Sequence, residues 1–240
     1  MKITFIGTSH GVPEPERRCS CTMLEIAGRY YFIDMGTGAV EDLVHRGIKL
    51  EDVRGIFITH CHGDHTNGLI SFVDLISWFY KNSKPTILMP EQEAIDAMRA
   101  WIGANGTKMR EDLDIGVVNE GVTYDDGVLK VTAIRTKHCR TSYAYLLEAE
   151  GKRIIFTGDL QNPKVDFPSA AFEDENNLIV VESAHFSPFI TEEVLKNAKT
   201  KRVIHNHICP FNWDGELFEF ARHEHPYEYR RSFDGMEINL

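Results

Sequence analysis

No apolar run in this sequence approaches the length needed to span a bilayer; the 42% hydrophobic content is dispersed in short segments. The first residues, Met1 to Gly7, pattern as a strand. They carry no basic n-region, long apolar core or small-residue cleavage site, so the expected compartment is the cytoplasm rather than an export route. Positive charge is short: 26 Lys and Arg stand against 36 Asp and Glu, a formal net charge of −10. That balance opposes tight binding of long nucleic acid, which needs clustered cations to neutralise phosphates, and favours a small substrate. The five cysteines are odd in number and lack zinc-finger spacing, which points to reduced thiols rather than a disulfide framework. Low-complexity linkers and solenoid repeats are also missing. A chain of 240 residues then suits a single domain, 1–240, made of two similar halves at about 1–125 and 126–240.

What the sequence does have is His60-Cys61-His62-Gly63-Asp64-His65, directly after the apolar run Gly55 to Ile58. A β-type run that stops here leaves the following side chains on a tight loop, where they can converge. Neutral imidazole and carboxylate are common ligands for Zn²⁺ and similar divalent ions. His60 and His62 can hold one ion, and Asp64 with His65 can begin a second site. A two-metal centre needs a bridging carboxylate and further histidines from later in the chain.

The pattern elsewhere alternates strands and helices. Lys2 to Gly7 is a strand, and Thr22 to Ala27 with Arg29 to Asp34 form a hairpin about Gly28. Asp34-Met35-Gly36-Thr37-Gly38 is a glycine-rich turn opening a helix over 40–46; with no P-loop lysine, its Asp34 is expected to support the site rather than ligate. Residues 67–80 have apolar positions at helical spacing (Leu69, Phe72, Val73, Ile76, Phe79). A short strand over 86–89 precedes a helix from Pro90 to about Ile102. Strands are expected at 117–118, 128–135, 142–149, 152–157, 178–181, 202–207 and 236–240. Helices are expected from an N-cap at Thr191 to Ala198, and over 215–222. Two sheets packed face to face with helices outside accommodate this order.

Three more metal-type residues end β-type runs: His138 after Val131–Arg135, Asp159 after Ile154–Gly158, and His207 at the end of Arg202–Asn206. The order H-x-H-x-D-H, a lone His, a T-G-D aspartate and a His on a late strand resembles the metallo-β-lactamase superfamily over nearly the whole chain. Gly7 to Arg17 resembles the G-T-x-x-G-x-P-x-P-x-R signature of its RNase Z-like phosphodiesterase branch, Asp34 to Gly38 resembles that branch's D-x-G-x-G turn, and His185-Phe186-Ser187 resembles its H-S-T motif. Gly63 fits this branch, where the flavo-diiron branch has Glu.

The resemblance implies an α/β fold, the four-layer αββα metallo-β-lactamase sandwich. It implies two divalent ions, Zn²⁺ first and Mn²⁺ or Fe²⁺ as alternatives. One ion would take His60, His62 and His138; the other would take Asp64, His65 and His207. Asp159 would bridge them, and His205, two residues from His207 on the same strand face, is the alternative for the last position. Cys61, Cys139 and Cys209 are expected to pack under the site. The implied chemistry is hydrolysis of a phosphodiester by a hydroxide bridging the two ions. Asp64 would orient the hydroxide, and His185 would act as the acid for the leaving alkoxide; Glu182 is a candidate to orient it, against which stands the alternation of successive side chains on a strand. Trp78, Tyr80, Arg140, Ser142, Tyr143 and Phe211 are expected to pack more than to recognise substrate.

Departures from the branch shape the substrate expectation. The segment 160–178 is short and acidic, no Gly/Pro-rich basic arm is present, and Ile208-Cys209-Pro210-Phe211 replaces the usual S-P-R. A small or cyclic phosphodiester, such as a cyclic nucleotide, is therefore expected over tRNA 3′-processing. A lactonase or thioesterase on the same metals, or a metal-bearing sensor without turnover, are the competing expectations. A homodimer is expected by analogy alone.

Overall fold

Two turns of the same chemistry each close a hairpin, one in each sheet. Ala27 and Gly28 (φ 49° and 73°) close one hairpin, and Glu150 and Gly151 (φ 50° and 69°) close another; paired positive φ values suit the twist of a two-residue hairpin. The computed structural model describes residues 1–12, 14–209, 211 and 214–240. Pro13 of the N-terminal motif and Pro210 after Cys209 lie outside the described residues.

The first half runs β1 (Lys2–Gly7), β2 (Cys21–Ile26), β3 (Arg29–Met35), α1 (Ala39–His45), β4 (Val53–Phe57), α2 (Gly63–Trp78), β5 (Thr86–Met89), α3 (Gln92–Ala104) and β6 (Asp114–Val117). The second runs β7 (Gly121–Asp125), β8 (Lys130–Arg135), β9 (Tyr143–Ala149), β10 (Lys152–Phe156), α4 (Pro163–Asp166), α5 (Ala170–Glu173), β11 (Leu178–Ser183), α6 (Pro188–Leu195), β12 (Arg202–Ile208), α7 (Asp214–Phe220) and β13 (Glu228–Arg231), and β14 (Met236–Asn239) closes the chain. One seven-stranded sheet has the order β14-β1-β2-β3-β4-β5-β6, the other β13-β12-β11-β10-β9-β8-β7. The seam between sheets thus falls between β6 and β7, and β14 crosses back to pair with β1.

Three apolar layers make this a four-layer sandwich. Ile3, Phe5, Leu24 and Tyr31 of the first sheet meet Val131, Tyr145, Leu147 and Ile154 of the second in a buried central cluster. Phe32 and Ile56 face outward onto Leu69, Phe72, Val73 and Ile76 of α2 and onto Ile95 and Met98 of α3. Ile155, Ile179 and Val203 on the far side meet Ala170, Ala171 and Leu195. Each such Leu, Ile or Phe contributes roughly 1.5–3 kcal/mol by leaving water, so both sheets are fixed face to face and the strand ends cannot slide.

Several boundaries differ from the sequence expectation. Helix α2 begins at Gly63, with His62 as its N-cap, so Asp64 and His65 sit in a first helical turn and not on a loop. Phe79 is the C-cap residue and is exposed instead of joining the apolar stripe. Helix α6 starts at Pro188, with Ser187 accepting from the Phe189 amide; Thr191 lies inside it, buried. A proline at the first helical position, behind a serine cap, is a stronger start than Thr191.

The largest local departure is in β12. Its register against β11 slips between Glu182 and Ser183, so that Glu182 pairs with Asn206 and Ser183 with Ile208. His207 is the extra residue, at φ 52°. Such a bulge redirects a side chain, and His205 and His207 consequently point to opposite sides, correcting the expectation of a shared face. His205 is buried with the helices: its Nε2 is 3.0 Å from Thr191 Oγ1 and its Nδ1 3.0 Å from the Tyr229 hydroxyl.

Burial lowers the His205 pKa to about 3. An unfolded histidine titrates near ~6.5. The unfolded chain then binds the extra proton between those values, so stability is full above the unfolded pKa and falls as pH drops through the window. About 2 kcal/mol is expected to be lost by ~pH 5 through this residue. Thermal melts of His205→Gln should show a smaller drop from neutral to acid pH than the parent; equal acid sensitivity would refute the assignment.

Candidate metal centre

The functional side chains emerge at strand ends of one polarity. β1, β3 and β4 run in one direction, because β2 is antiparallel to both β1 and β3 while β3 and β4 are parallel. β8, β10, β11 and β12 share a direction by the same logic. Asp34 lies at the end of β3, His60 to His65 follow β4, His138 follows β8, Asp159 follows β10, His185 follows β11, and His207 is near the end of β12. The Tyr143 amide donates to the Thr59 carbonyl at 2.9 Å, tying the two sheets together at this edge.

His60, His65, Asp159 and His207 are buried and form the floor; His62, Asp64, His138 and His185 form the rim. The His60 Nε2 is 2.9 Å from His62 Nδ1, which is 3.2 Å from His138 Nε2. The Asp64 Oδ2 is 3.3 Å from His65 Nε2 and 3.6 Å from His207 Nε2. Between the two groups, Asp159 Oδ2 lies 3.7 Å from the Nε2 atoms of His60, His65 and His138 and 3.3 Å from His207 Nε2. The groups His60–His62–His138 and Asp64–His65–His207 each keep their donor atoms within 4.8 Å of one another.

Local folding fixes which ring nitrogens face inward. Asp34, at φ 57°, turns its carboxylate under the site. It accepts the Thr59 amide at 2.8 Å and lies 2.7 Å from His65 Nδ1. Thr59 Oγ1 donates to the same carboxylate and stands 3.1 Å from His60 Nδ1. With both Nδ1 atoms so occupied, the Nε2 lone pairs of His60 and His65 point at Asp159. This outer support is a common device for orienting metal-binding imidazoles. The supporting role for Asp34 thus has its geometry, and Thr59 is a residue that sequence reasoning missed. Its signal was its place at the strand end, immediately before His60. Gly36 completes the turn: a methyl there would stand 1.6 Å from the Asp64 carbonyl oxygen.

Electrostatics favours a cation in this place. His65 Nε2 is buried without a hydrogen-bond partner among the described residues. Burial and the neighbouring histidines push the His60 pKa down to about 2. Burial works against a charge on His65 too, but Asp34 and Asp159 hold its pKa well above the usual range. Asp159 is buried, which opposes ionisation, yet His207 and His65 keep its carboxyl well below the usual carboxylate value. The buried His65 ring thus stands between two carboxylates, and the Nε2 atoms of His60, His138 and His207 lie within 3.7 Å of one of them, Asp159. Nitrogen and carboxylate donors of this kind suit divalent metal, and the residues present fit it. Asp34→Asn is expected to weaken metal affinity roughly 10–100-fold, measured by chelator competition, because the amide no longer fixes the His65 tautomer. An unchanged affinity would discard that role.

On the rim, His185 Nδ1 is 2.8 Å from Glu182 Oε2 and 3.7 Å from Asp159 Oδ2. The strand alternation that argued against Glu182 does not apply, because β11 ends at Ser183 and the chain bends back. Glu182 is buried and also accepts the amides of Leu160 and Ala184. Other residues named from sequence stay outside. His205 is on the opposite side of its strand. Arg140 is paired with Glu91 and Glu93, and Ser142 is buried against Thr136. Tyr143 is buried, and Trp78 is exposed at the end of α2. No cysteine belongs to the donor groups found among the described residues, and burial pushes the Cys61 thiol up to about 12.

Residues 1–194 match the family described as anti-Pycsar protein Apyc1. The chain belongs to that family. Its sequence is also similar to ribonuclease Z of Geobacillus kaustophilus, 32% identical over 148 residues that cover 60% of this chain and 48% of that protein. The chain spans about half the length of the curated relatives it matches first. Among solved structures, the metallo-β-lactamase fold protein YhfI of Bacillus subtilis superposes with a TM-score of 0.80 at 16% identity, covering 99% of both chains. The short form of human tRNase Z superposes at 0.77 with 21% identity, over 100% of this chain and 99% of that one. The fold is therefore that of the metallo-β-lactamase superfamily. Among the described residues no helix is long and apolar enough to cross a membrane.

Proposed function

We propose that this family member is a metal-dependent phosphodiesterase acting on a small or cyclic phosphodiester. His60, His62 and His138 would hold one ion, and Asp64, His65 and His207 a second, with Asp159 between them and Zn²⁺ the first choice of metal. Ions held there would lower the pKa of water toward neutrality and draw off charge gathering on the phosphoryl oxygens. The observation that carries the reading is the His185–Glu182 pair beside the donor cluster. The Glu182 hydrogen bond raises the His185 pKa to about 9, so an imidazolium stands at the rim at neutral pH, placed to protonate a departing alkoxide. Asp64, partly buried at the same rim, is placed to orient the attacking water. Charge and shape support a small substrate. The chain is acidic, and segment 160–178 folds into the short helices α4 and α5, bound back by Asp166 to the amides of Lys137 and Gln161.

The test is hydrolysis of bis(p-nitrophenyl) phosphate and a 3′,5′-cyclic nucleotide, beside a lactone, a thioester and a precursor tRNA. Protein reloaded separately with Zn²⁺ or Mn²⁺ is used, with Asp64→Ala as control. Turnover of the diesters, absent in the control, supports the reading. Turnover confined to the carbonyl substrates moves the chain to the lactonase or thioesterase side, and turnover confined to tRNA restores the activity its relatives are named for. Tight ligand binding without turnover makes it a sensor.

A further inference from the structure

Strand order suggests a counterpart to His138. In the second sheet β8 lies between β7 and β9; in the first, β1 lies in the same place between β14 and β2. The loop after β8 delivers His138 to the centre. The loop after β1 delivers His10, a residue with no role in the chemistry described so far. That loop is pinned on both sides. The Thr8 amide and hydroxyl bind Asp234 Oδ1 at 2.9 and 2.8 Å, and the Ile208 amide donates to the Thr8 carbonyl at 2.8 Å. The Ser9 amide donates to the Arg18 carbonyl at 2.9 Å, and the His10 amide to the Ile208 carbonyl at 3.3 Å. His10 is thus held beside the residue that follows His207. Its other neighbour, Gly11, faces Asp64: a methyl there would lie 3.6 Å from Asp64 Oδ2.

The ring itself is half-buried and edge-on to Phe211, with centroids 6.1 Å apart at 89°. Its Nε2 is shut off from solvent and has no hydrogen-bond partner among the described residues. Burial lowers its pKa, with His207 adding to that and Glu14 and Asp64 opposing it. Yet His10 belongs to none of the donor groups that can hold a metal. A buried polar atom without a partner calls for an explanation, and at the edge of a site a ligand oxygen supplies one.

We propose that His10 is a substrate-binding residue whose Nε2–H donates to a phosphoryl oxygen of the bound diester on the Asp64–His207 side of the centre. The inference rests on the phosphodiesterase reading for its substrate, and its test separates the two. His10→Phe keeps the aromatic volume against Phe211 and removes the donor; His10→Gln keeps a donor. Metal content, KM and kcat on bis(p-nitrophenyl) phosphate, and the affinity of the Mn²⁺-loaded protein for inorganic phosphate by calorimetry are measured for each. His10→Phe should keep its metal, raise KM about tenfold or more with a smaller change in kcat, and weaken phosphate binding about tenfold, with His10→Gln recovering most of both. Unchanged KM and phosphate affinity in His10→Phe, or equal losses in the two variants, would overturn the assignment while leaving the phosphodiesterase reading in place. A parent that hydrolyses no diester but loses phosphate affinity on His10→Phe keeps the assignment and loses the reading. A parent that neither hydrolyses the diester nor binds phosphate loses both.

Discussion

Replacing Asp159 with alanine is expected to strip the centre of metal and to lower diester hydrolysis by roughly 10³-fold or more. The argument is positional. One carboxylate oxygen lies within 3.7 Å of imidazole nitrogens from both donor groups, and Asp159 is only 2% exposed. Removing it leaves imidazoles facing one another with the floor's one carboxylate gone. Ligand-linked stability gives a readout independent of turnover. Ions that bind only the folded state stabilise it by about 4 kcal/mol at a thousandfold excess over Kd. A chelator should therefore lower the parent's melting temperature by several degrees and leave that of Asp159→Ala nearly unmoved. Elemental analysis should find the variant depleted at both donor groups. A variant that retains full metal content and parental turnover would remove Asp159 from the centre altogether.

The layers of the fold were legible because they depend on local pattern. Apolar runs ending in His or Asp located β4, β8, β10 and β12, and the Ala27-Gly28 and Glu150-Gly151 turns gave both hairpins. What escaped depends on long-range pairing. β13, Glu228-Tyr229-Arg230-Arg231, is a charged edge strand with no apolar alternation, and only its register with β12 makes it a strand. β7 is likewise an edge, paired to β8 through an irregular register. The bulge at His207 is a property of β11 against β12 and leaves no mark in a sequence that permits either histidine to face the site. The early start of α2 was hidden because Gly63 and Asp64 read as loop residues. In the folded chain an acidic side chain in a first helical turn is favourable against the helix dipole.

His185→Ala is expected to divide substrates by leaving group. An alkoxide such as a ribose oxygen departs only if protonated, whereas p-nitrophenolate departs readily without help. General-acid assistance is worth typically ~10²–10⁴-fold. Loss of that order is expected on a 3′,5′-cyclic nucleotide, and less than about tenfold on bis(p-nitrophenyl) phosphate. The pH profile follows from the same pair. The Glu182 hydrogen bond is the largest cause of the raised pKa, ahead of the opposing desolvation. An acid catalyst loses its proton as pH rises through its pKa, so the parent's rate on the alkyl substrate falls on an alkaline limb. Glu182→Gln withdraws the carboxylate, and that limb moves to lower pH while the p-nitrophenyl rate changes little. His185 also stands 3.7 Å from Asp159 and forms a donor group with it and His138, so metal content must be measured in the same variant. Equal losses on both leaving groups together with lost metal would make His185 a ligand rather than an acid. Unequal losses with metal retained leave protonation of the departing oxygen as its work.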